Sequence, residues 1–218
     1  MKKLLFITVV CAFMAVPAMA DLSKSYAYLD GGGNSLTCPF PGAIVDEFSG
    51  TRPGWTYNGN YDIRTGDSES IASAPWSDLT DLKDTTPYLA VPGVASATDP
   101  FVTVEFGAGD LYYLGLHWGS MDDYNMIEFL SGGPGGSVVG TITGDQVWID
   151  DGPSGSQATM QTNQYVNIFS TVAFDSIKIT STSYAFELDN LAIVPIPGAV
   201  LLGILGLGAV GIKLRKYA

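Results

Sequence analysis

From residue 101 onward, apolar and polar residues alternate in short runs. In FVTVEF (101–106), Val102, Val104 and Phe106 fall on one face, with Thr103 and Glu105 on the other. LYYLGLHW (111–118), YNMIEFL (124–130), SVVGTI (137–142), YVNIF (165–169), FDSIKIT (174–180) and YAFELDNLAIV (184–194) continue the series. GAGD, GSMDD, SGGPGG, TGDQ and DDGPSGSQ separate the runs with turn-forming residues. No stretch between the two ends carries a sustained helical period. Strands this short, at this spacing, predict an all-β fold, an antiparallel sandwich or barrel.

Residues 21–100 are less regular. Ala43–Phe48 reads as an opening strand, and TPYLAVPG as a short edge strand between prolines. TRPGWTYNGNYDIRTGDS is turn-rich, and SAPWSDLTDLKDTTP reads as loop with one helical turn. With no internal repeat of solenoid or propeller length, residues 21–194 are expected to form one all-β domain.

The two ends carry a different pattern. MKKLLFITVVCAFMAVPAMA has Lys2 and Lys3, an apolar run, and small residues at Ala18 and Ala20. This is the layout of a secretory signal peptide, residues 1–20, with cleavage by signal peptidase after Ala20. At the other end, Pro197–Ile212 is about sixteen residues without a charge, about 24 Å long as a helix. Lys213, Arg215 and Lys216 follow, and the positive-inside rule keeps them in the cytoplasm.

Export changes what the charge means. Residues 21–194 hold five basic groups (Lys24, Arg52, Arg64, Lys83, Lys178) against all 22 acidic ones, a net charge of about −17. Such a domain is repelled by nucleic acid and by anionic lipid surfaces. Cys11 leaves with the signal, so Cys38 has no partner for an intrachain disulfide. Stability must come from a core, or from a core helped by a bound ion.

Catalytic chemistry finds little to build on. His117 is the only histidine and sits inside a strand-like run, where it reads as a sheet residue. Cys38 has no C-x-x-C partner and reads as a buried thiol. There is no G-x-S-x-G elbow, Walker loop or dinucleotide fingerprint. Asp122, Asp123, Asp145, Asp150 and Asp151 fall in turns, where aspartate bonds its local backbone. A carboxylate pair for glycoside hydrolysis would have to face across a cleft. Aromatic platforms for sugar rings are the other candidates. Trp118 and Trp148 adjoin apolar strand runs and read as core, whereas Trp55 and Trp76 lie in loop-like sequence and are the candidate ligand-binding residues. GGPGGS (132–137) has Ser137 where a calcium-binding repeat has aspartate, and reads as a glycine loop.

Two resemblances add to this reading. AIVDEFSG (43–50) and AFELDNLAI (185–193) resemble the opening and closing strands of jelly-roll carbohydrate-binding modules. In those modules an acidic residue near the start shares a structural calcium with an aspartate of the closing strand. The resemblance implies one Ca²⁺ held by Asp189 with Asp46 or Glu47, and extracellular polysaccharide as the alternative partner.

The tail, with Val194, Pro195, Ile196 and Pro197 ahead of the apolar segment and a basic end, resembles the PEP-CTERM sorting signal of Gram-negative bacteria. Ile196 stands where that signal usually has glutamate. LYYLGLHWGSMDDYNMIEFLSGG, then VVGTITGDQV, resembles a stretch of exosortase-dependent surface proteins through Trp118, Gly119, Ser120, Asp122, Tyr124, Asn125, Phe129, Thr143 and Gly144. The resemblance implies a non-enzymatic protein of the cell surface or extracellular matrix. It would pass transiently through the inner membrane by residues 195–218 and be processed by an exosortase-like enzyme. A periplasmic domain that stays anchored in the inner membrane is the alternative.

Overall fold

Val102 and Val104 are fully buried and Glu105 is exposed, so the period-two pattern of residues 101–106 is a real strand face. A computed structural model describes residues 19–26, 36–68, 71–77, 82–94, 99–148 and 155–195. In chain order the strands begin with β1 (Leu22–Tyr26), β2 (Ile44–Asp46), β3 (Thr56–Gly59), β4 (Asp62–Arg64), β5 (Trp76–Ser77), β6 (Leu82–Lys83) and β7 (Tyr88–Val91). They continue with β8 (Phe101–Glu105), β9 (Leu111–Gly119), β10 (Asn125–Ser131), β11 (Ser137–Thr143), β12 (Gln164–Phe174), β13 (Ser176–Ser181) and β14 (Phe186–Ile193). One helical turn, α1 (Gly144–Val147), follows β11.

The strands form two main antiparallel sheets. The first runs β1-β12-β9-β14-β7-β4, with β2 also paired to β14; the second runs β11-β10-β13-β8-β3. β5 and β6 make a small separate ribbon. The fold is all-β and sandwich-like. Leu114, Leu116 and Trp118 of β9, with Val166 and Ile168 of β12, share one core with Ile127, Phe129, Ile177 and Ile179 of the second sheet. Each such side chain contributes about 1.5–3 kcal/mol on leaving water. Trp118 stacks on Phe186 at 4.3 Å, and Trp148 packs on the same core, as their strand-like context predicts.

Four elements differ from the sequence reading. β1 opens the fold, ahead of β2, pairing along β12 from Leu22↔Ser170 to Tyr26↔Val166. LSKSY has too few apolar positions to show this from periodicity. β7 is not an edge strand: it lies between β14 and β4 and all four of its residues are buried. Its prolines bracket a short interior strand. TGDQ contributes to a helical turn closed by a capping box between Thr143 and Gln146. SAPWSDLTDLKDTTP, which reads as loop, supplies β5 and β6; residues 78–81 between them, where the helical turn is expected, lie outside the described residues.

β14 pairs antiparallel with β2, so the opening and closing runs do meet. The register is Leu191↔Asp46, so Asp189 lies two residues along β14 from the position opposite Asp46; against β9, β14 carries an irregularity between Asp189 and Ala192. Asn190 sits there at φ 51°, in the left-handed region asparagine tolerates. The break lets Leu188 and Leu191, three residues apart, both reach the core.

The first sheet is covered on its outer face as well. Asn190 Nδ2 donates to the Leu36 carbonyl at 2.9 Å, Tyr88 Oη to the Gly66 carbonyl at 2.9 Å, and Ser73 N to Glu187 at 2.9 Å. These bonds tie segments 36–46 and 66–77 over β9, β14 and β7, and every residue of β14 is buried in consequence. The GGPGGS loop is held by Asp175, which accepts from the N–H groups of Gly132 and Gly133.

Candidate functional site

At the end of the first sheet where β9 finishes and β14 begins, four connections converge. They are residues 67–68 and 71–73 after β4, 120–124 after β9, 155–157 before β12, and Tyr184 before β14. Together they wall a cleft of about 580 Å³.

Its floor is Glu187. Strand alternation sends Phe186 and Leu188 into the core and Glu187 to the opposite face, under the 66–77 segment. The side chain is 2% exposed. Its Oε1 accepts from Ser73 N at 2.9 Å and its Oε2 from Ser120 Oγ at 2.5 Å. Burial pushes the carboxyl up to about 8; the two hydrogen bonds oppose the shift and nearby Asp122 adds to it. Ser120 is placed for this contact by a left-handed backbone, φ 38°, held by its N–H donating to Asn163 Oδ1 at 2.9 Å.

Asp122 is 7% exposed and its N–H donates to Asn125 Oδ1 at 3.0 Å. Burial, and after it the Asp122 carboxylate, raise the Tyr124 phenol above its ordinary range. Tyr124 Oη donates to the Tyr184 carbonyl at 3.1 Å. At the rim, Asp67 is paired with Lys83 at 2.8 Å. Three carboxyl groups, Asp67, Asp122 and Glu187, line the cleft, and no lysine or arginine is among its described lining residues.

The residues singled out from sequence are dispersed. Asp46, 1% exposed, accepts from Phe48 N, from Arg52 Nε at 3.0 Å and from Tyr57 Oη at 3.0 Å. Glu47 is exposed. Asp189 instead accepts from Asn190 N at 2.6 Å and from Thr86 Oγ1 at 3.1 Å; the same hydroxyl donates to Asp84 at 2.6 Å. Burial, and after it the Asp84 charge, push Asp189 up to about 8. Asp46 has the surroundings of an ion pair with arginine, and its partners are not those of Asp189. Among the described residues, no group of three or more His, Cys, Asp or Glu is arranged to hold a metal ion.

Trp55 packs edge-on against Phe106 at 4.9 Å and rests on the core, and Trp76 is half-buried in β5. Neither lines the cleft. His117 is fully buried within β9, opposite Asp189 and Tyr165. Cys38 Sγ lies 3.2 Å from Tyr113 Oη. Val194 and Pro195 are half-buried just beyond β14. Ile196, Pro197, Lys213, Arg215 and Lys216 lie outside the described residues, as does the signal segment up to residue 18. No helix among the described residues is long and apolar enough to cross a membrane.

Sequence reading placed Asp122 in a turn and gave Glu187 no role. The one available signal was Glu187 at an outward position of a strand whose neighbours on both sides are apolar.

Compared with known proteins, the chain matches no protein-family model, no curated protein and no solved structure.

Proposed function

We propose that this is an exported, non-enzymatic protein of the bacterial surface or extracellular matrix, delivered by its C-terminal segment as a PEP-CTERM signal. On this reading residues 1–20 are removed by signal peptidase. Residues 197–212 then hold the chain in the inner membrane as a short helix, with Lys213, Arg215 and Lys216 on the cytoplasmic side. An exosortase-like enzyme cuts near Pro195–Pro197 and releases a jelly-roll-like sandwich.

One observation supports this reading above the others. β14 is an interior strand of the first sheet and ends at Ile193, directly ahead of Pro195. A cut there leaves every core residue among the described residues on the released side. The strong negative charge of residues 21–194 suits a solvated surface protein rather than one adhering to anionic lipid.

Mass spectrometry of the protein from its native host tests the proposal. A mature chain beginning at Asp21 and ending near Pro195 is expected. An intact C-terminus at Ala218 in the membrane fraction overturns sorting in favour of a permanent inner-membrane anchor.

A further inference from the structure

Sorting says nothing of what the folded body holds, and the cleft over Glu187 carries an inference of its own. We propose that it is a binding site for a neutral saccharide unit, with Asp122, Tyr124 and Tyr184 as the contacting residues and Glu187 as the group that positions the floor.

Size is the first argument. About 580 Å³ lies within the range of pockets that enclose a small organic ligand. The character of the walls is the second. A sugar ring presents hydroxyls on its edge and C–H groups on its faces. The cleft offers hydroxyls from Ser68 and Tyr124, the Asp122 carboxylate as acceptor, and Ile71 and Ala72 as an apolar patch. Tyr184, 39% exposed, stands at the rim as an aromatic surface.

Rigidity is the third. Glu187 joins two walls, taking Ser73 N–H from one and the Ser120 hydroxyl from the other. A buried carboxyl fully engaged in this way fixes the loops relative to the sheet, which reduces the ordering cost of binding. It also leaves Glu187 poorly disposed to gather a cation. Each of its oxygens already accepts a bond, and Asp67 is taken by Lys83. The cleft is therefore built for hydroxyl groups, not for a metal ion or an ammonium.

A second hollow of about 680 Å³ borders Asn58, Tyr61, Asp99, Phe101 and Thr103 on the other sheet. There the Phe101 ring is already covered by the Lys178 ammonium at 4.8 Å, and the site serves as an internal control.

The test uses the full chain in mild detergent and saturation-transfer NMR. The probes are glucose, galactose, mannose, N-acetylglucosamine and their β-linked disaccharides, with glucosamine as a cationic comparator. At least one neutral sugar is expected to receive saturation, with an affinity that does not change from low to high salt. Tyr184→Ala and Asp122→Asn should each weaken binding about tenfold or more, the loss of one stacking face or one hydrogen-bonded charge. Asp99→Asn in the second hollow should leave it unchanged. Near-UV circular dichroism of the Trp118–Phe186 stack reports whether each variant is folded; the exposed Tyr184 keeps the test available if Asp122→Asn unfolds the chain. The proposal is overturned if no neutral sugar binds, if binding survives Tyr184→Ala unchanged, or if glucosamine alone binds and salt abolishes it. None of these outcomes bears on where the C-terminus is cut.

Discussion

Replacing Glu187 by glutamine should make the protein more stable in alkali and flatten its response to pH. The substitution keeps the shape of the side chain. The glutamine carbonyl oxygen can still accept from Ser73 N–H, and the Ser120 hydroxyl can turn to accept from the new amide. What disappears is the proton equilibrium. Burial holds the carboxyl at about 8 in the folded chain, against 4.5 for the free group. The folded state therefore binds this proton more tightly than the unfolded state does. Its contribution to stability is complete below about pH 4.5 and is lost as the pH rises towards 8.

At about 1.4 kcal/mol per pKa unit, the loss is on the order of 3 kcal/mol by pH 7 and 5 kcal/mol by pH 9. That is a large share of the stability of a domain this size. Urea unfolding of residues 19–195, followed by tryptophan fluorescence at several pH values from 4 to 9, measures it. The parent should weaken steadily above about pH 5. The glutamine variant should match it within about 1 kcal/mol in acid and exceed it by several kcal/mol at pH 9. Asp189 titrates in the same sense, so part of the decline should remain in the variant. Equal pH dependence in the two proteins, or a parent that gains stability between pH 5 and 8, would refute the assignment of Glu187 as a buried, proton-holding group.

Other substitutions probe the rest of the scaffold. Asp189→Asn should remove much of the remaining alkaline loss, and the double variant with Glu187→Gln should unfold nearly independently of pH across the same range. Arg52→Gln leaves the buried Asp46 without its cation and should cost about 3 kcal/mol, read as a lower urea midpoint. Trp118→Leu should cost about 3 kcal/mol and abolish the near-UV signal of the stack on Phe186. At Gly115 a methyl group would overlap the hydroxyls of both Tyr113 and Tyr165, so Gly115→Ala should cost about 1–3 kcal/mol. Adding Tyr113→Phe and Tyr165→Phe should recover part of that loss, and additive losses would show that the hydroxyls are not the obstacle.

β8, β10 and β13 are legible because each buries one face and leaves the other at least partly open, and alternation of that kind survives in the text; β9, β12 and β14, buried on both faces for most of their length, are legible as apolar runs between turns. Thr103 is the one mild exception in its run, buried with its hydroxyl on the Asn58 carbonyl. β7 is the opposite case. YLAV buries both faces, so it has no alternation to read, and its flanking prolines mimic an edge. The same two-sided burial hides the cleft from the sequence pattern. In AFELDNLAI the alternation marks Glu187 and Asp189 as outward-facing, and outward normally means wet. Only the covering residues 66–68, 71–77 and 82–86, whose composition looks like plain loop, turn those positions into buried carboxyl groups. β2 and β14 are neighbours, as the likeness of their runs to opening and closing strands implies, but Leu191 rather than Asp189 stands opposite Asp46. Register, which the one-dimensional pattern of two strands does not carry, decides which side chains meet. The acidic chemistry of this fold thus sits where a central strand is roofed by irregular chain. The next such site is to be sought under a covering segment whose own sequence offers no pattern, at the polar positions of the strand beneath it.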